Sequence, residues 1–193
     1  AVGNSNTLAN IVSDSVHGGG KLKKAYKAYS DTPLIEWLKQ QPYDFRRVQQ
    51  PNFIKSCAAY CVATCVLGIG DRHNDNIMLT RAGRFFHIDF GHFLGNFKTK
   101  FGYRRETAPF VFTPQFLSLL GGKKGAAFQR FVDLSCRAYN ALRANANLII
   151  TLFSLMLSCG IPELQRAGDI TWVREKLSLG MDDRQAAAHF KEQ

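Results

Sequence analysis

The chain has 193 residues, 46% hydrophobic and 21% charged, a composition that supports a globular domain with a real core and argues against disorder. Its 25 Lys and Arg against 15 Asp and Glu leave a net charge of +10, so an anionic partner is expected: nucleotide, lipid headgroup or nucleic acid. The five cysteines form no CxxC pair, which argues against a disulfide framework or a zinc ribbon and suits reduced, cytosolic thiols. Cys57, Cys61 and Cys65 fall on one face of a helix, where packing as small hydrophobes is favoured over soft-metal binding. The polar opening Ala1-Val2-Gly3-Asn4-Ser5 has no signal-peptide pattern. The longest apolar run, Leu148 to Leu157, is shorter than the ~20 residues that span a bilayer and reads as a buried helix.

In chain order, residues 10–29 read as coil, with a Gly18-Gly19-Gly20 hinge and solvated lysines at 21, 23, 24 and 27. Thr32 and Pro33 signal a helix start for Leu34 to Gln40. Pro51 opens a longer helix to Leu67, nearly all apolar from Cys57 onward and ended by Gly68. Ile77-Met78-Leu79 and Phe85-Phe86-His87-Ile88 are short apolar runs, and Arg81-Ala82-Gly83-Arg84 has the length and glycine of a hairpin link. Phe93 to Thr113 is irregular and rich in Lys, Arg and aromatics. A short helix over Phe116 to Leu120 ends at Gly121-Gly122, and Phe128 to Leu142 is amphipathic with Phe131, Leu134, Ala138 and Leu142 inward. Asn145 to Cys159 is the buried helix, closed by Gly160 and Pro162. Asp169 and Asp182 cap two last helices, 170–179 and 183–191. The fold class is α+β, mostly helical with one small hairpin, in a single domain.

Folding the hairpin brings Asp71-Arg72-His73-Asn74-Asp75-Asn76 beside Asp89-Phe90-Gly91-His92. The Asn76 amide oxygen and the Asp89 carboxylate are hard donors suited to Mg²⁺ held jointly with phosphates. An imidazole, with a pKa of about 6.5 in a model peptide, accepts a proton from an alcohol near neutral pH, which makes His73 a candidate base. His92 can donate to a phosphoryl oxygen, and Arg72 either neutralises charge or locks a loop to an acid. Together these are the requirements of phosphoryl transfer. His17, His87 and His189 form no such pattern; alternation with Ile88 turns His87 away from the metal side. Trp37 and Trp172 read as core.

With these residues in view, LGIGDRHNDNIM at 67–78, FHIDFGHFLGNFKTKFGYRRE at 86–106 and PFVFT at 109–113 resemble the C-terminal lobe of the phosphoinositide 3-kinase catalytic domain, class I-like. The resemblance implies a protein-kinase-like C-lobe over 1–193, with a hinge end at 1–5, catalytic loop at 70–76, activation loop at 89–109 and helical remainder at 114–193. It implies a lipid kinase that moves the γ-phosphoryl of Mg-ATP to an inositol 3-hydroxyl. His73 is then the base, in a catalytic loop with Asp71 and Arg72; Asn76 and Asp89 hold the metal and His92 contacts the transferred phosphoryl. Val2 and Ser5 belong to the nucleotide subsite, with Met78 and Ile88 as its apolar floor.

Lys98, Lys100, Arg104 and Arg105 place four positive charges in eight residues, with no acid before Glu106. Since each added phosphate brings up to ~2 negative charges, this loop favours a polyphosphorylated headgroup. By resemblance to class I the substrate is phosphatidylinositol 4,5-bisphosphate. The implied partners are the phosphoinositide, an anionic membrane surface and a regulatory subunit. Nucleic acid is not among them, since no recognition helix or stacking platform stands out. The implied location is cytoplasmic, with recruitment to the inner face of the plasma membrane. No Gly-rich loop or strand lysine precedes the hinge, and Gly18-Gly19-Gly20 does not replace them. The N-lobe is therefore read as absent, and the 193 residues alone are expected to bind ATP poorly and turn over little lipid. Two other readings remain: a related kinase acting on another lipid or on protein, and a non-catalytic basic membrane-binding module.

Overall fold

Residues 10–17, read as coil, belong to a helix that a short strand precedes. β1 (Ser5–Thr7) runs into α1 (Leu8–His17), and the Thr7 hydroxyl accepts the Asn10 N–H at 3.2 Å, as a cap does. Leu8 and Ile11 are buried on one face, but Asn10 between them and Ser13-Asp14-Ser15 after them mask the periodicity. The structure is a computed structural model and describes residues 5–17, 32–97, 99–100, 103–104 and 108–193. Val2, the Gly18-Gly19-Gly20 hinge, the lysines at 21, 23, 24 and 27, Lys98 and Arg105 lie outside the described residues.

Two compact units emerge: Ala1–Tyr60, Arg72–Asp89 and Phe112–Val132 form the first, and Cys61–Asp71, Phe90–Val111 and Asp133–Gln193 the second. In the first, α2 (Pro33–Lys39) starts at Pro33 as expected. The Thr32 hydroxyl, however, donates to the Glu36 carboxylate at 3.0 Å instead of capping the backbone. A π-helical turn (Phe45–Gln49) leads into α3 (Gln50–Leu67). The hairpin forms as read, from β2 (Ile77–Thr80) and β3 (Phe85–His87). It gains β1 as a third strand, giving the order β1-β2-β3 with both pairs antiparallel. One face buries Ile77, Leu79, Phe85 and His87. Phe53 of α3, Phe85 and Phe116 of α4 (Pro114–Leu119) meet edge to face, with centroids 5.1 to 5.9 Å apart. Thr113 caps α4 by accepting the Phe116 N–H, and Gly121 and Gly122 end it at positive φ.

The second unit is built from the end of α3, most of α5 (Ala126–Ala144), α6 (Ala146–Met156), α7 (Thr171–Lys176) and α8 (Asp183–Lys191). Its core gathers Val62, Cys65, Val66, Leu94, Tyr139, Ile150, Leu164, Val173, Leu177 and Phe190. Cys57, Cys61 and Cys65 are all buried, as packing residues should be. On α5 the inward stripe is shifted by one residue from expectation. Phe131, Ser135, Cys136 and Tyr139 are buried, while Leu134, Ala138 and Leu142 are half-buried. The α6 reading needs a larger correction. Ile150 is buried, but Leu148, Leu152 and Leu155 are 58%, 51% and 69% exposed. A run apolar on every side does not say which side meets the core.

Asp182 caps α8 by accepting the Gln185 N–H at 2.8 Å, as expected. Asp169 does not precede its helix; it lies inside a 3-10 turn (Ala167–Ile170) and its carboxylate reaches back to the N–H groups of Gln165 and Arg166, both at 2.9 Å. Those two bonds lower its pKa. The stretch read as irregular contains a two-stranded ribbon, β4 (Thr99–Lys100) and β5 (Tyr103–Arg104), pairing Thr99 with Arg104 and Lys100 with Tyr103. Among the described residues no helix is long and apolar enough to cross a membrane.

Candidate active site

The first unit holds the open end of the hairpin. Before β2, residues 74–76 make one 3-10 turn that starts at His73, closed by the Asn76 N–H donating to the His73 carbonyl at 2.9 Å. After β3, the Ile88 N–H donates to the Asn76 carbonyl at 3.0 Å. Arg72 completes the link. Its guanidinium donates to the Ile88 carbonyl at 2.8 Å and also to the Asp89 carbonyl. Thus Arg72 does lock one loop to the other, but through backbone carbonyls in addition to any acid it meets. Asp89 has φ +58, a left-handed conformation that costs an L-residue about 1–2 kcal/mol, and the segment holding it is tied on both sides.

The side chains at this end differ in exposure. Asn76 is 7% exposed, whereas His73 and Asp89 are open to solvent. His73 Nδ1 lies 3.6 Å from the Asp75 carboxylate, so a proton gained by the imidazole would face a negative charge. Sequence reasoning gave Asp75 no role. His87 points into the core, stacked on Tyr60 at 5.3 Å. Burial, helped by nearby Arg72, lowers its pKa to about 4 and keeps it neutral.

The nucleotide candidates are also brought together in part. Ser5 pairs with Thr80 and Thr7 with Met78, so Ser5 and Met78 share the sheet face opposite Ile77 and Leu79. Ile88, 37% exposed, follows the end of β3. In the second unit Asp71 also has φ +58. There the Gly70 N–H donates to the His92 carbonyl at 2.9 Å, and both Asp71 and His92 are half-buried. Lys100 and Arg104 are placed by their backbone on β4 and β5.

The family model for phosphatidylinositol 3- and 4-kinase matches residues 2–166. Phosphatidylinositol 3-kinases 2, 1 and 3 of Dictyostelium discoideum are each 50% identical to the chain, over 190, 189 and 192 residues. The chain belongs to the phosphatidylinositol 3- and 4-kinase family. These matches cover 97%, 97% and 98% of the chain and 10%, 12% and 11% of the relatives, so it spans about a tenth of their length.

In this kinase-family chain one device went unread in the sequence. The first turns of α3 and the π-turn before it present Gln49, Asn52 and Ser56 along one face. Gln49 Nε2 donates to the Arg81 carbonyl at 2.9 Å and to the Leu38 carbonyl at 2.7 Å. Asn52 Nδ2 donates to the Ala82 carbonyl at 2.8 Å. The Ser56 hydroxyl accepts the Phe85 N–H at 2.9 Å and donates to the Asn52 carbonyl at 2.7 Å. Gly83 lies so close that a Cβ there would fall 2.3 Å from the Gln49 carbonyl oxygen. One helix face therefore holds the closed end of the hairpin whose open end carries Asn76. The signal available was polar residues at helical spacing in an otherwise apolar helix.

Proposed function

We propose that the enzyme carrying this chain transfers the γ-phosphoryl of Mg-ATP to the 3-hydroxyl of phosphatidylinositol 4,5-bisphosphate. The observation that carries the reading is the Arg72 and Ile88 hydrogen bonding that ties the His73–Asn76 loop to Asp89. It supports a base and two hard-oxygen donors at one end of one hairpin.

Among the described residues no three His, Cys, Asp or Glu side chains gather to hold a metal. One carboxylate and one amide oxygen still fit Mg²⁺, which keeps most of its positions for phosphate oxygens and water. Asn76 and Asp89 would hold the ion, which when bound supplies charge neutralisation along the phosphates. His73 takes the proton of the attacking hydroxyl, and the Asp75 carboxylate faces the resulting imidazolium. That exposed pair contributes about 1 kcal/mol or less. Arg72 keeps Asp89 in register with Asn76. Ser5, the exposed Ile88 and Met78, which is 9% exposed, are the residues assigned to the nucleotide, with Val2 alongside in sequence. His92 keeps the phosphoryl contact that the resemblance implies. Lys98, Lys100, Arg104 and Arg105 read the headgroup, which places the substrate on an anionic membrane.

The test is a phosphorylation assay on vesicles containing either phosphatidylinositol or its 4,5-bisphosphate, with the full-length enzyme. His73→Ala should lower kcat by about 10²–10⁴-fold with the melting temperature unchanged. Replacing Lys98 and Lys100 by Ala should depress the rate on the bisphosphate more than on the unphosphorylated lipid. Near-normal turnover by His73→Ala removes it as the base, and equal losses on both lipids remove the headgroup assignment.

A further inference from the structure

The tryptophan that the sequence assigns to the core has a more specific place in the second unit. Trp172 is half-buried on α7, and its ring lies against the backbone of two loops. A Cβ on Gly68 would come 2.5 Å from the indole Nε1 and Cε2, and a Cβ on Gly95 would come 2.3 Å from Cε3. Both glycines have positive φ, +57 and +78. Gly68 ends α3 just before the catalytic-loop sequence, and Gly95 follows His92 by three residues. Three backbone bonds join the same two segments: Leu94 N–H to the Leu67 carbonyl at 2.7 Å, Gly95 N–H to Gly68 at 3.3 Å, and Gly70 N–H to His92 at 2.9 Å.

The ring is itself fixed. Val173 and Leu177, beside it and one turn on, are fully buried. Phe97 and the indole lie in a T-shaped pair, 71° between planes and 5.5 Å between centroids, and the Lys176 ammonium sits 5.0 Å from the ring centroid. Besides packing against the core of this unit, the ring meets two Cα positions where no side chain can stand, one from each loop.

We propose that Trp172 is a positioning residue that sets the course of the backbone from His92 to Phe97, and through it the action on lipid of the basic sequence that follows, with Lys98, Lys100, Arg104 and Arg105. Its effect on lipid rests on the functional reading above; its effect on the backbone does not. In the full-length enzyme carrying Trp172→Ala, amide hydrogen exchange over 67–70 and 92–97 should quicken. The KM for the bisphosphate lipid should rise about tenfold or more while the KM for ATP stays within about twofold. Trp172→Phe, which keeps a flat ring, should recover much of both and carries the same comparison if the alanine variant does not fold. Because Gly95→Ala disturbs the same contact, its effect and that of Trp172→Ala should be non-additive in the double variant.

Unchanged exchange at 92–97, or equal losses toward ATP and lipid, overturns the assignment. Additive effects of Trp172→Ala and Gly95→Ala also overturn it. An unmutated enzyme that phosphorylates no phosphoinositide removes the functional reading instead, and the exchange result then decides Trp172 by itself.

Discussion

The hairpin at 81–85 is held by two side-chain amides and a hydroxyl, each bonded to one backbone group of the hairpin, whereas the loop base at 92–97 is held by a ring lying on two glycines. The first anchor is directional. Each bond stabilises by about 1 kcal/mol net, but leaving its buried partner unmade costs about 1–3 kcal/mol. The second anchor is a matter of shape: it depends on no single bond, but it leaves no room for a Cβ beneath the ring. Both serve segments that the chain alone would not hold, since each feeds a residue in a left-handed conformation, Asp89 in one unit and Asp71 in the other. Strained backbone at a functional site persists only where its surroundings over-determine it.

Glycine substitutions separate the two anchors most strongly. At Gly83, with φ +83, a methyl group would meet only backbone: Gln49 O at 2.3 Å, Cα at 2.6 Å and C at 2.7 Å. Nothing there can rotate away, so overpacking adds to the left-handed penalty. Gly83→Ala should destabilise the chain by about 3–5 kcal/mol in urea unfolding. At Gly95 the obstacle is the Trp172 ring, a side chain with torsions of its own, and Gly95→Ala should cost about 2–3 kcal/mol. If the two lose equal stability, the distinction between a directional anchor and a packed one is wrong.

The candidate site's sequence clusters were more legible than the scaffolding that holds them. The two clusters, the hairpin between them, the Pro33 helix start and the Asp182 cap rest on local patterns, and local patterns are what a sequence displays. β1 was not legible because its partner, Ile77–Thr80, lies far along the chain and three residues carry no usable alternation. Helix α1 was hidden by the polar residues Asn10, Ser13, Asp14 and Ser15 that interrupt its apolar positions. Gln49, Asn52 and Ser56 have no meaning until Arg81, Ala82 and Phe85 lie opposite them. Trp172 reads as core from any sequence, since the contact that distinguishes it is with two glycines, which show no side chain to match.

The polar anchor can also be taken apart bond by bond, with smaller effects. Ser56→Ala leaves the Phe85 N–H of β3 without its acceptor, and should cost about 1–3 kcal/mol. Asn52→Ala removes one donor from the Ala82 carbonyl, which retains a lone pair for water, and should cost about 1 kcal/mol. Urea unfolding gives the sizes, and faster amide exchange at Phe85 in Ser56→Ala identifies the bond. Stability losses without that local change would mean that Ser56 acts only within α3, through the Asn52 carbonyl.

The outward face of α6 supplies the case with neither kind of anchor. Leu148, Leu152 and Leu155 follow helical spacing and look inward by composition, yet more than half of each lies open. The buried side of the same helix is carried by Ala146 and Ile150, with Ile149, Phe153 and Leu157 half-covered behind them. A polar residue at Leu152 therefore displaces no core atom and strands no hydrogen-bonding group. Leu152→Gln should change the stability of the chain by no more than about 0.5 kcal/mol. A loss of several kcal/mol would mean that this face packs inward after all, and that the division of α6 into a core side and an open side is mistaken. The size of that loss, set beside the Gly95→Ala result in the same unit, tells a packed contact from an apolar residue that merely happens to be on a helix.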